Sequence, residues 1–146
     1  MCYNVDMSIF TYLQNKISKF VYRRKCKRLG LTFPVLCKAH GVKNADAQGA
    51  IVQSKVGDTL QLVHLPKENY PNNVYVYSIP LNRVLGYLEE RLSKKLVKLF
   101  GKEFCIDGAV ENITGENYAV RGCNLRIFDT RVMMSDVHDF SHLYGA

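Results

Sequence analysis

No stretch of the sequence approaches the roughly 18 to 20 apolar residues that a membrane-crossing helix needs, so a bilayer-spanning segment is not expected. The N-terminus also lacks a signal-peptide pattern, because charge follows its apolar residues instead of preceding an apolar run. Cysteine pairing is missing too: Cys2, Cys26, Cys37, Cys105 and Cys123 are scattered, odd in number and contain no C-x-x-C. That usage argues against a disulfide framework and suits a reducing compartment, where the thiols act as small apolar side chains. A cytoplasmic protein is the expectation.

Catalytic words are absent as well. There is no G-x-S-x-G, no phosphate-binding P-loop, no G-x-G-x-x-G and no H-E-x-x-H, and no acid, base or nucleophile has a visible partner. The reading is therefore non-enzymatic and without a cofactor. One ligand-like group occurs in the tail, Asp136, His138, Asp139 and His142, with Cys37 and His40 at i and i+3 as the further candidates to join it. Zinc needs a second firm pair at ligand spacing, so no native metal is expected. Tryptophan is missing, but nine tyrosines and seven phenylalanines supply aromatic bulk.

What is present suits a globular protein. A chain of 146 residues that is 47% hydrophobic and 23% charged is long enough to bury one real core and too short for two full domains. The net charge of +7 is strongly localised. Between Lys16 and Arg28 lie seven basic residues and no acidic one, leaving the other 133 residues balanced at 13 basic against 13 acidic. A partner of concentrated negative charge, a nucleic acid or a membrane surface, fits such a segment better than a uniformly positive protein would.

Periodicity outlines the elements. Ile9, Phe10, Leu13, Ile17, Phe20 and Val21 recur at helical spacing between Asp6 and Leu29, with Gly30 as the stop. Ala47, Ala50 and Ile51 suggest a short helix in the small, polar stretch from Lys43 to Lys55. From Val56 to Tyr87 three short strands are expected. Leu60 and Leu62 alternate with Gln61 and Val63, Val74 and Val76 with Tyr75 and Tyr77, and Arg83 to Tyr87 forms the third. Pro66 to Asn73 interrupts them as a loop, since prolines cannot donate to a ladder and asparagines favour turns. Tyr75 and Tyr77 share a face and either fill a core or form a stacking surface; Tyr70, in the loop, is the better candidate for a contact. A helix follows from Glu89 to Phe100 with Leu92, Leu96 and Leu99 inward and Gly101 as its cap, then strands at Phe104 to Ile113 and Tyr118 to Phe128.

The order Gly41-Val42, then Val56-Gly57-Asp58-Thr59-Leu60-Gln61-Leu62-Val63, then a Pro-Asn-Tyr loop, then Val84-Leu85-Gly86-Tyr87-Leu88 and an amphipathic helix resembles the HIRAN domain over roughly 33–115. The resemblance implies an α+β, mainly β fold: a small HIRAN-like β-barrel of SH3/OB-like kind with two helices, here with an added N-terminal amphipathic helix. It divides the chain into a basic helix (1–30), the barrel (31–115) and a C-terminal strand and tail (116–146).

It also implies binding of single-stranded DNA, notably a 3′ end, in a pocket made by the loop and neighbouring strands. Carried over by position, the family's loop tyrosine falls on Tyr70 and its later asparagine on Asn73. The basic-aromatic pair falls on Lys43 and Asn44, and the residue after the strand glycine is Tyr87. The family's aspartate falls on Pro71, and the basic residue at the helix start is met by Glu89 or Glu90, with Arg91 nearby. Arg23, Arg24, Lys25, Lys27 and Arg28 would neutralise phosphates. The expected function is thus a nucleic-acid-binding module, with roles in DNA repair or processing. The alternative is a HIRAN-like interaction or structural protein that has lost the DNA-end pocket. It would act through homo-oligomerisation, a protein partner or an anionic membrane.

Overall fold

The computed structural model describes residues 2–132. The chain divides into two compact units, the first ending at Thr32 and the second starting at Phe33. The tail cluster Asp136, His138, Asp139 and His142 lies outside the described residues. Among those described, no helix is long and apolar enough to cross a membrane, and no three His, Cys, Asp or Glu side chains group as metal ligands would.

The first unit is a single helix, α1 (Cys2–Leu29). It starts four residues before Asp6, because nothing in Tyr3-Asn4-Val5 breaks a helix and hydrogen bonding propagates past the acid. It stops where the sequence indicates. Gly30 adopts φ 72°, its N–H donates to the Lys27 carbonyl (3.2 Å), and the Leu31 N–H donates to the Cys26 carbonyl (2.9 Å). These two bonds form a Schellman cap that satisfies the orphan carbonyls of the last turn.

The second unit is α+β and mainly β. Among the described residues, six strands form one antiparallel sheet: β1 (Val35–Lys38), β2 (Thr59–His64), β3 (Val74–Ser78), β4 (Arg83–Tyr87), β5 (Cys105–Thr114) and β6 (Gly122–Arg131). Two helices accompany them, α2 (Ala45–Gln53) and α3 (Glu90–Phe100). The spatial order is β1-β6-β5-β2-β3-β4. The last strand in sequence therefore lies inside the sheet, between β1 and β5. It begins at Gly122, four residues later than expected. Gly115 at φ 77° and the Tyr118 N–H to Gly115 carbonyl bond (2.9 Å) prolong the turn, so pairing starts at Thr114–Gly122.

The three strands of the 56–87 stretch are β2, β3 and β4, and their alternation sets two buried faces. On one, Leu62 stands between Val76 and Ile106, all fully buried. On the other, Val63 stands between Tyr75 and Cys105, and these join Leu65 and Tyr77 in an apolar cluster. Tyr75 and Tyr77 thus fill a core and do not make a flat outer surface. Complete burial of a side chain such as Leu62 is worth about 1.5 to 3 kcal/mol relative to exposure.

The sheet is open, and the closed barrel that the resemblance implies is not seen: among the described residues no ladder joins its edge strands β1 and β4. They meet at one point. Just beyond β1, the His40 N–H donates to the Tyr87 carbonyl (2.8 Å) and the Tyr87 N–H to the His40 carbonyl (3.0 Å). Gly41, at φ 69°, turns the chain away after that single bridge, which is why no ladder grows. Gly86 is required on the facing strand, since a Cβ there would run into the His40 carbonyl oxygen.

Helix α2 buries Ala47, Ala50 and Ile51, the inner residues that its spacing predicts. Helix α3 buries Ser93, Leu96, Leu99 and Phe100. Its C-terminus is satisfied from the sheet. The Arg131 guanidinium donates to the Phe100 carbonyl (2.9 Å) and lies 5.2 Å from the Phe100 ring centroid, placing a cation at the negative end of the helix.

Candidate nucleic-acid interface

The loop that interrupts the meander is held by its own backbone. Lys67 and Tyr70 exchange two hydrogen bonds of 3.0 Å, and the Leu65 N–H donates to the Asn73 carbonyl at 3.0 Å. The Asn73 side-chain amide returns a bond to the Leu65 carbonyl (3.1 Å). His64, buried at the end of β2, completes the anchoring. Its Nδ1 accepts from the Glu103 N–H (2.9 Å), so Nε2 carries the proton and donates to the Pro71 carbonyl (2.9 Å). The imidazole tautomer follows from its two partners, one of which can only donate and the other only accept. Pro71 joins the site's scaffold through its backbone oxygen.

This anchored loop forms one wall of a cavity of about 360 Å³ lined by Lys67, Tyr70, Asn72, Asn73, Tyr75, Tyr87, Leu88, Glu90 and Ser93. Three expected contact residues, Tyr70, Asn73 and Tyr87, therefore share one hollow. The two tyrosines are open to solvent, at 60% and 45% exposure. Tyr75 is 8% exposed; its hydroxyl has no hydrogen-bond partner among the described residues, and its ring lies 5.1 Å below the Lys67 ammonium. Glu90, the first residue of α3, contributes a negative charge. The Asn73 amide nitrogen is committed to Leu65.

Tyr87 also borders a second cavity, about 730 Å³, lined by residues that include Lys38, His40, Gly41, Lys43, Asn44, Arg121 and Asn124. Lys43 and Asn44 line this hollow and not the first. Asn44 is occupied as the N-cap of α2. Its Oδ1 accepts from the Ala47 N–H (2.8 Å) and its Nδ2 donates to the Gly41 carbonyl (3.2 Å). Tyr87 borders both cavities. Its ring is stacked near the His40 ring at 6.5 Å and 27° and covers Gly41 closely enough that a Cβ there would collide with it.

Two groups of expected residues are not among those that line these cavities. Arg91 is exposed on α3 but lines neither hollow. Arg23, Arg24, Lys25, Lys27 and Arg28 are exposed on the last turns of α1, in the first unit. Conversely, Lys38, Lys67 and Arg121 border the cavities without having stood out in the sequence. No periodicity or motif marks a lone cation near a strand end.

Three of the thiols, Cys37, Cys105 and Cys123, are unsuited to chemistry at neutral pH. Burial, helped by Asp107, pushes the Cys105 thiol up to about 12. Burial, with Asp58, raises Cys123 to about 11. Burial, with Cys123 and Glu89, raises Cys37 to about 12. Such groups remain protonated and poorly nucleophilic.

No family model, no curated protein and no solved structure matches this chain.

Proposed function

We propose that this protein is a non-enzymatic nucleic-acid-binding module with a HIRAN-like, barrel-type second unit, taking single-stranded DNA or a DNA end across Tyr87. The carrying observation is that exposed Tyr70 and Tyr87 border one cavity and that Tyr87 also borders a second one lined by Lys43. Exposed aromatics beside cations are what a single strand requires: every base has a face to stack and every linkage a charge to neutralise. The sheet is open, but the approach of its two edges at His40 and Tyr87 supports a barrel-like curvature with the site at that meeting point. The ordered pieces of sequence that resemble the HIRAN domain supply the preference for a strand end. A role in DNA repair or processing would follow from that resemblance, and the scattered cysteines fit a reducing cytoplasm.

The test is fluorescence anisotropy with 5′-labelled single strands ending in a 3′-hydroxyl or a 3′-phosphate, measured across a salt series. Binding that weakens with salt by about 0.7 log units per neutralised phosphate is expected, with the hydroxyl end preferred. Absence of binding at low salt overturns the reading.

A second reading draws on α1, where Leu13, Ile17, Phe20 and Val21 are 50 to 63% exposed next to the basic turns. In that reading the protein is a HIRAN-like interaction module acting through self-association, a protein partner or an anionic membrane. Light scattering and co-sedimentation with anionic vesicles separate these cases. A monomer indifferent to vesicles counts against the first and third.

A further inference from the structure

We infer that the second cavity is a preorganised phosphate track, with Lys38 and Arg121 holding the backbone of a strand whose base stacks at Tyr87. The inference rests on the nucleic-acid reading above and deepens it by assigning the two cavities different chemistry.

The argument begins with charge. The first cavity is bordered by one cation and one anion, Lys67 and Glu90. The second is bordered by Lys38, Lys43 and Arg121, and no carboxylate is among the described residues that line it. None of these three cations is engaged in an ion pair among the described residues. Their charges therefore add inside a concave surface, where low-dielectric walls concentrate the field. The remainder of the second unit is close to charge balance, so this concentration is local.

The walls are also fixed before any ligand arrives. Gln48, on α2, reaches across with its side-chain amide. Its nitrogen donates to the Val42 carbonyl (2.6 Å) and to the Arg121 carbonyl (2.8 Å), while its oxygen accepts from the Arg121 N–H (2.9 Å). Both amide hydrogens and the oxygen are thus used to hold the Lys43 side of the cavity against the Arg121 side. On the third side the Ala39 N–H donates to the Cys123 carbonyl (2.9 Å), setting Lys38 against β6. A ligand need not order these walls, which lowers the cost of binding.

Size selects the kind of anion. A hollow of about 730 Å³ is far larger than a single phosphate and within the range that drug-sized ligands occupy. A chain of phosphodiesters meets both requirements, repeated charge and length. Because Tyr87 borders both cavities, a base stacked on it brings its own backbone to the edge of the cationic hollow.

The experiment compares wild type with Lys38→Gln/Arg121→Gln, and with Lys38→Arg as a charge-retaining control. The substitutions leave the backbone bonds of Arg121 to Gln48 in place, and an unchanged amide spectrum verifies the fold. With a labelled oligothymidine, the double variant is expected to bind more weakly at low salt, with a salt slope shallower by about 1.4. Its preference for a 3′-hydroxyl over a 3′-phosphate should be unchanged, and Lys38→Arg should match wild type. An unaltered slope in the double variant overturns the track while leaving the nucleic-acid reading standing. Tripolyphosphate, followed by amide shifts, supplies the second arm. Shifts at Gly41, Lys43 and Arg121 support the anion track even if oligothymidine fails to bind, which would sink only the nucleic-acid reading. No shift with either probe overturns both.

Discussion

The ring of Tyr87 fills the space that a Cβ on Gly41 would need. A tyrosine on one edge strand of the sheet thus packs against a glycine just past the other edge strand, next to the bridge between His40 and Tyr87. The two residues are 46 positions apart in the chain, and neither tolerates change without affecting the other.

Substituting Gly41→Ala should therefore act twice. Alanine at φ 69° costs about 1 to 2 kcal/mol, and its methyl group must displace the Tyr87 ring. Urea unfolding is expected to show the destabilisation, and the ring resonances of Tyr87 should shift. If unfolding and ring resonances are both unchanged, the contact is not present in solution.

His64→Leu should release the loop without unfolding the sheet. The variant leaves the Glu103 N–H and the Pro71 carbonyl without their imidazole partners, a loss of about 1 to 3 kcal/mol. Hydrogen exchange is the direct measurement. Protection of the Glu103 amide should fall, while that of central β2 and β5 amides, such as Leu62 and Ile106, stays high.

Tyr70→Ala and Tyr87→Ala should each weaken single-strand binding by about 1 to 3 kcal/mol, roughly 5-fold to 150-fold. Tyr87→Phe should retain most of the affinity if stacking is the contribution. The salt slope should be unchanged in all three, because no phosphate contact is lost. A changed slope would show that the rings act through charge placement instead.

Stability should decline in alkali. Cys105 and Cys123 are raised from 9.0 to about 12 and about 11 in the folded protein, so above pH 9 the unfolded chain loses thiol protons that the native state keeps. Their contribution is fully present below about pH 9 and is lost as pH rises through the folded values, at up to about 1.4 kcal/mol per pH unit for each thiol. Chemical denaturation at pH 8 and pH 10.5 measures this. Thiol-specific reagents should label both cysteines slowly at pH 8.

Local chemistry was sufficient for most elements. The end of α1 at Gly30, the inner residues of α2, the cap of α3 at Gly101 and the three strands of the 56–87 stretch all follow from near neighbours, because helix caps and strand alternation are set within a few residues. The start of β6 did not follow, since the turn before it is prolonged by Gly115 and its Arg121 edge is tied to Gln48, 73 residues away.

The sequence by itself determined where contiguous positive charge lies, between Lys16 and Arg28, and that Tyr70 and Tyr87 belong to the loop and strand end where a contact was expected. Only the tertiary structure decided that these tyrosines share a cavity and that Lys38, Lys43 and Arg121 surround another. The reason is physical. Charge density along the chain can be read from neighbours, whereas the field inside a hollow sums over residues that strand pairing brings together, here β1, the turn before α2 and the approach to β6. A segment that is neutral in sequence can thus present a concentrated positive cavity in space.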